Sequence, residues 1–156
     1  MNHSDAADHS TEKKEVESVR STARDLSSRI YEKIALKGKV TKPGPLVGTC
    51  AGRSADKFFT IRHTWSFYDS PVDDMRKAVH RLKEKLPEQG WKITKYGPDD
   101  SPGHSLEIFA RNEEKEFSVQ ITLRDRRGQD KGPSMIEVAL ESACFQTPDG
   151  KKVDEY

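Results

Sequence analysis

Two cysteines, Cys50 and Cys144, are the residues of this chain with the clearest capacity for covalent chemistry. A disulfide between them would close a loop of about 95 residues, and chain entropy assigns such a bridge roughly 4 to 5 kcal/mol of stability. Disulfides persist in oxidising compartments, so this pairing would predict an exported protein. The alternative is a cytosolic protein with two unpaired thiols, which would be buried as small hydrophobic side chains.

A histidine and a tryptophan could form a ligand site on a strand predicted over residues 58–68, where large side chains alternate with polar ones. His63 and Trp65 share the apolar face of this strand. One interpretation is a general base beside an aromatic platform, to which Trp91 and Tyr96 could contribute. The other is a hydrogen-bonded, partly buried histidine. The sequence favours the second because no spacing identifies a catalytic partner, and no catalytic residue is predicted.

Basic residues could bind an anionic partner such as lipid headgroups or a wall polymer. Arg76, Lys77 and Arg81 lie on a helix predicted over residues 71–86. Acidic residues interrupt this face, which is more typical of a solvated helix surface.

Metal and cofactor sites are not predicted. Asp99 and Asp100 offer adjacent carboxylates, but the spacing of a calcium loop is absent, so a turn is expected there. The sequence also lacks phosphate-loop, zinc-protease and serine-hydrolase motifs. The 27 Lys and Arg residues nearly balance the 26 Asp and Glu residues, so no nucleic-acid partner is expected.

Hydrophobic periodicity predicts the elements that position these residues. Apolar residues at spacings of three and four predict an amphipathic helix over residues 11–37, ended by Gly38. Its stripe includes Leu26 and Ile30, the candidate apolar contacts for a partner, and the helix could pack in its own chain or on a neighbour. The second helix, over residues 71–86, is predicted to start at Ser70 and Pro71. Further strands are predicted over residues 91–96, 106–111, 117–124 and 135–145.

The order α-β-α-β-β-β-β predicts an α+β domain, in which both helices pack on one face of a mostly antiparallel sheet of about five strands. The domain is expected to span residues 11–149, between a flexible tether at 1–10 and a C-terminal tail at 150–156. Residues 38–57 are rich in glycine and proline and predict an extended connection without regular elements. No apolar run approaches the roughly 20 residues of a transmembrane helix.

Three stretches of the chain resemble small secreted lipoproteins of unknown function from actinomycete bacteria. These are ARDLSSRIYEKIALKGKVTKPGPLVGTC, RHTWSFYDSPVDDMRKAVHRLKEKLPEQGWKITKYGPDDS and ESACFQTPDG. The resemblance covers about residues 23–149 and its motifs are not catalytic. It implies export, a lipid anchor at the outer face of the cell membrane, removed with the targeting segment, and a paired Cys50 and Cys144, with residues 2–10 as the tether.

Two functional hypotheses follow. The leading one is a non-enzymatic cell-envelope module that presents a protein-interaction surface to an unknown envelope partner, with the helix at 11–37 as the best candidate surface. The alternative is a small-ligand carrier or small enzyme with an aromatic pocket near His63 and Trp65. Free cysteines would instead favour a cytoplasmic regulator, and the oligomeric state is open.

Overall fold

The computed structural model describes residues 11–128 and 132–153, so the predicted tether at 1–10 lies outside the described residues. Within them, two α-helices contact each other and an antiparallel sheet of eight strands. The α+β class is therefore confirmed. The helices are α1 (Val16–Ile34) and α2 (Val72–Lys85), and α2 continues into a 3₁₀ turn (Leu86–Gln89). The strands are β1 (Lys39–Val40), β2 (Leu46–Gly48), β3 (Phe58–Tyr68), β4 (Lys92–Pro98), β5 (Leu106–Asn112), β6 (Phe117–Arg124), β7 (Met135–Ser142) and β8 (Phe145–Gln146).

The sheet differs from the prediction in strand count and order. About five strands were expected, but β1 and β2 lie inside the predicted connection at 38–57, and β8 follows β7 after a break. These three strands have two or three residues each, which is too short for an alternating pattern to be recognised. The glycines and prolines of the connection interrupt an edge strand but do not prevent it from pairing.

Strand β3 pairs with four other strands, more than any other strand among the described residues. The sheet order is β1-β3-β7-β6-β5-β4, and both β2 and β8 also pair with β3. In the register of β3 with β7, Trp65 lies opposite Val138. Since β4, β5, β6 and β7 follow one another as antiparallel neighbours, the pairing of β7 with β3 leaves β4 at the far edge.

Helix α1 is shorter than predicted at both ends. The residues before it join the sheet, because the backbone N–H of Lys14 donates to the carbonyl of Gln146 at 2.8 Å. At the other end the chain leaves the helix at Ala35, which has a φ of 53° in the left-handed region. Gly38 was expected to end this helix, but it lies four residues beyond Ile34, the last helical residue. In the described residues, neither helix is long and apolar enough to cross a membrane.

Helix α2 begins one residue later than predicted. Pro71 occupies the N-cap position instead of Ser70, and the N–H of Met75 donates to the Pro71 carbonyl at 2.9 Å. Near the C-terminus, residues 150–153 of the predicted tail pack against the domain. The N–H of Val153 donates to the carbonyl of Asp56 at 2.8 Å, and its side chain packs against the core.

The disulfide between Cys50 and Cys144 is present, with the two Cα atoms 6.0 Å apart. Cys50 follows β2, and Cys144 lies in a bulge between β7 and β8, where residues 142–144 lie opposite residues 60–61 of β3. Because β2 and β7 pair with opposite edges of β3, the bridge joins the two neighbours of that strand. A disulfide fits an oxidising compartment.

Replacing both cysteines with alanine should lower the free energy of unfolding by about 4 kcal/mol, because the open chain gains the entropy of a long loop. Urea denaturation of the oxidised protein and the double variant measures the difference. The reduced native protein provides the matched comparison. Equal stability of the three forms would contradict a structural role for the bridge.

Gly38 has a steric role at the start of β1. A Cβ atom at this position would lie 2.5 Å from Cζ of Phe67 and 2.6 Å from the carbonyl oxygen of Tyr68. Gly38→Ala should therefore lower the free energy of unfolding by about 1 to 3 kcal/mol, since an overpacked core must shift to admit the methyl group. Gly103→Ala is the control, because no atom lies within 4 Å of its Cβ position. Equal denaturation midpoints for the two variants would refute the steric argument.

Candidate functional site

A cleft of about 530 Å³ lies between α1, residues 40–45 and β3. One wall is a polar and aromatic stripe of α1 at positions i, i+3, i+4 and i+7, which fall on one helical face. This stripe consists of Arg24, Ser27, Ser28 and Tyr31. His63 and Trp65 of β3 form the floor, and residues 40–45 form the second wall. The structure thus places two of the predicted ligand-binding residues side by side in a cavity.

The cleft exists because the edge strand beside β3 is interrupted. Val40 pairs with Phe67 and Leu46 pairs with Arg62, so the five residues 41–45 face only four residues of β3. The extra residue makes a bulge. Pro43 and Pro45 have no backbone N–H to donate to a neighbouring strand, so this segment cannot form a regular ladder.

A chain of three hydrogen bonds joins the walls of the cleft to its floor. The Nε1–H of Trp65 donates to Oγ of Ser27 at 3.0 Å, and this hydroxyl lies 2.7 Å from Nδ1 of His63. Nε2 of His63 lies 2.8 Å from the carbonyl oxygen of Pro43. A carbonyl can only accept, so Nε2 of His63 carries a proton, and in the neutral imidazole Nδ1 is then the acceptor to which Ser27 donates. Both ring nitrogens of His63 are thereby occupied.

Ser27 is the residue of this site that the sequence did not indicate. It is only 5% exposed and interrupts an apolar stripe of α1, beside Leu26 and before Ile30. A serine at an inward helix position requires a hydrogen-bonding partner, and this is the signal that could have identified it. The partners themselves lie on β3, 36 and 38 residues further along the chain.

The other two predicted pocket residues lie elsewhere, which corrects the expectation of one aromatic pocket. Trp91 and Tyr96 belong to the region of β4, four strands away from β3. With about 4.8 Å between neighbouring strands, this is a separation of roughly 20 Å. The Tyr96 hydroxyl is hydrogen-bonded to Nδ1 of His80 on α2. Burial raises the pKa of Tyr96, and the nearby Glu84 carboxylate raises it further.

The predicted partner-binding residues do not form one accessible surface. Leu26 and Ile30 are buried, so a partner cannot reach them in this fold. The helix they belong to packs in its own chain, against β3 and α2. The guanidinium of Arg81 donates to the carbonyl of Ile34 and so satisfies an otherwise free acceptor at the end of α1. Lys77 is exposed and Arg76 is half-buried.

The face of the sheet opposite the helices is also concave. Its depression of about 700 Å³ is lined by polar and apolar residues of β3 to β7, among them Arg62, Phe109 and Glu141. Arg62 forms an ion pair with Glu141 at 2.9 Å, and Lys95 pairs with Glu107 at 2.6 Å. The hydrogen bond from Lys95 to Glu107 raises the pKa of the lysine. The pair of Arg62 with Glu141 is exposed, whereas Glu107 is buried and has Lys95 as its cationic partner.

The carboxylate of Asp99 stabilises a turn. Its Oδ1 accepts hydrogen bonds from the hydroxyl and the N–H of Ser101 and from the N–H of Ser105. The hydroxyl of Ser101 is the main reason why the pKa of Asp99 is lowered. Among residues 11–128 and 132–153, no group of three or more His, Cys, Asp or Glu side chains is placed to hold a metal ion.

Ser27→Ala should lower the free energy of unfolding by about 1 to 3 kcal/mol, because it removes the partner of both the buried Trp65 N–H and His63. Ser28→Ala is the matched control, since Ser28 is the exposed neighbour on the same helix and should change stability by less than about 0.5 kcal/mol. Urea denaturation compares the two. Equal effects would show that the hydrogen-bond chain does not support the site.

No protein-family model, curated protein or solved structure matches this chain, so the cleft is the basis for assigning a function. Its walls combine an exposed aromatic ring, two prolines and two cationic side chains above a floor whose polar atoms are hydrogen-bonded. Such a cavity can hold a small molecule.

Proposed function

We propose that this domain is an exported binding module that takes a small, largely apolar ligand into the cleft between α1, residues 40–45 and β3. The observation that supports it best is the position of Tyr31. Its side chain lines the cleft and is 42% exposed, and the only other exposed large hydrophobic residue among those described is Leu46. An aromatic ring left uncovered at the mouth of a cavity is a contact surface for a ligand.

The ring of Tyr31 is supported from below by the core. Its centroid lies 6.4 Å from that of Trp65, in an edge-on arrangement, and 6.4 Å from that of Phe67. Aromatic pairs at such distances are mutually attractive, so the tyrosine is positioned before any ligand arrives. Preorganisation of this kind lowers the entropy that binding must overcome.

The size of the cleft also fits a small molecule. Ligand pockets commonly occupy roughly 300 to 1,000 Å³, a range that includes this cavity of about 530 Å³. Its apolar lining consists of Val40, Pro43, Pro45, Tyr31 and Trp65. A few polar groups at the rim would orient the ligand.

Export is part of the proposal and is supported by the disulfide, which fits an oxidising environment. Attachment to the outer face of a membrane through a lipid rests on the resemblance to secreted actinomycete lipoproteins. In that setting the module would bind its ligand outside the cell without transforming it. The surface formed by exposed residues such as Lys77 is the part of the earlier protein-partner hypothesis that stays accessible.

The neutral fluorophore N-phenyl-1-naphthylamine tests this proposal, because it is small, aromatic and uncharged. The chain has two tryptophans, so a Trp91→Phe variant assigns the two indole N–H signals in an NMR spectrum of ¹⁵N-labelled protein. Titration should shift the signal of Trp65 and leave that of Trp91 in place. Tyr31→Ala should weaken binding about threefold to tenfold, since an aromatic contact contributes about 0.5 to 1.5 kcal/mol.

Leu46→Ala is the matched control, because Leu46 is 67% exposed but does not line the cleft. It should bind the fluorophore as the native protein does. If Trp65 does not respond to the fluorophore, or if both variants lose the same affinity, the proposed site is wrong.

A further inference from the structure

We infer that the ligand of this cleft has an acidic group, which binds between Arg24 and Lys42 while its apolar body lies against Tyr31. This inference rests on the proposed binding function and adds the chemical class of the ligand. It follows from the charges of the two walls.

The two walls place like charges at the mouth of the cleft. Arg24 extends from α1, and Lys42 extends from the bulged segment on the other side. Both residues are exposed. Among the described residues that line the cleft, none is Asp or Glu. A cationic ligand would therefore meet two positive charges without a carboxylate to compensate them.

This local excess of positive charge is not a property of the whole chain. Lys and Arg number 27 against 26 Asp and Glu, so the formal net charge is only +1. The depression on the opposite sheet face contains an acid beside its cations, since Glu141 forms an ion pair with Arg62 at 2.9 Å. The cleft differs from the whole chain and from the opposite sheet face because it has two cations and no acid in its lining. A cleft lined by charges of one sign raises the local concentration of oppositely charged ligands.

The nearest carboxylate to Arg24 competes weakly for it. Oε2 of Glu17 lies 4.0 Å from Nη1 of Arg24, whereas Oε1 of the same residue lies 2.7 Å from Nη1 of Arg20. More than half of each side chain in the longer pair is exposed. Exposed pairs of this kind contribute little, so the guanidinium can turn toward a ligand at small cost.

The polar atoms at the rim favour an acceptor on the ligand. The hydroxyl oxygen of Thr41 accepts the N–H of Ser66 at 2.9 Å, so its own proton can be donated to an anion. The hydroxyl of Ser28 is exposed on the opposite wall. In contrast, the nitrogens of His63 and the oxygen of Ser27 are engaged with each other and with their neighbours.

Two fluorophores with the same ring system test the charge requirement directly. N-phenyl-1-naphthylamine is neutral, and 1-anilinonaphthalene-8-sulfonate adds one sulfonate. We expect the native protein to bind the sulfonate more tightly. Arg24→Gln and Lys42→Gln should each weaken its binding about twofold to fivefold, as expected for an exposed ion pair, and leave the neutral fluorophore unaffected. Added salt should weaken the binding of the sulfonate alone, because salt screens the attraction between exposed charges.

Arg29→Gln is the matched control. Arg29 lies on the same helix, its side chain is 57% exposed against 54% for Arg24, and it is outside the cleft, where it pairs with Asp25. The Arg29→Gln substitution also removes one positive charge, and it should not change the affinity for either fluorophore. If the neutral fluorophore shifts the Trp65 signal but the sulfonate binds no better, the inference is overturned and the binding function stands. If neither fluorophore shifts Trp65, both are overturned.

Discussion

A chain of hydrogen bonds from Trp65 through Ser27 and His63 to the carbonyl of Pro43 joins three parts of the molecule that are distant in sequence. Helix α1 contributes Ser27, strand β3 contributes Trp65 and His63, and the bulged edge segment contributes Pro43. Trp65 is 4% exposed, so its N–H has no access to bulk water and needs this protein partner. The same bonds that satisfy buried polar groups therefore hold the walls of the cleft at a fixed separation, and the polar floor is structural for this reason.

The rest of the fold keeps β3 in place. Two bulges lie on its two edges: residues 41–45 on one side open the cleft, and residues 142–144 on the other side bring Cys144 toward Cys50. The disulfide then fastens the short β2 strand, which has few ladder bonds of its own, to the body of the sheet. Because a short interrupted edge strand is a weak element, the bridge stabilises the wall of the cleft as well as the domain.

The sequence predicted strands β3 and β6 well, overestimated helix α1 at both ends, and predicted the site only in part. Strand β3 and strand β6 show clean alternation over eight or more residues, and their bounds were predicted correctly. The short strands β1, β2 and β8 show no detectable alternation of polar and apolar residues. That His63 and Trp65 lie together follows from strand geometry alone, because alternate residues of a strand share a face. The distance of Tyr96 from this site depends on the pairing of β7 with β3, which no local sequence pattern predicts. Ser27 was missed for a related reason, since its partners come from another element.

The burial of the α1 stripe removes Leu26 and Ile30 from the surface that was predicted to bind a partner. An amphipathic helix next to a Gly/Pro-rich connection is compatible with a free partner-binding surface, but here Leu26 and Ile30 complete the core of their own domain. What α1 offers to the outside is its adjacent stripe, which includes Arg24, Ser28 and Tyr31. The helix therefore contributes one face to folding and the neighbouring face to the cleft.

The most direct measurement is a crystal structure of the domain grown with 1-anilinonaphthalene-8-sulfonate. The predicted result is the ring system against Tyr31, the sulfonate between Arg24 and Lys42, and the hydrogen bonds of Ser27 and His63 unchanged. A fluorophore bound on the open sheet face beside Arg62 and Glu141, with the cleft at α1 empty, would contradict the central claim.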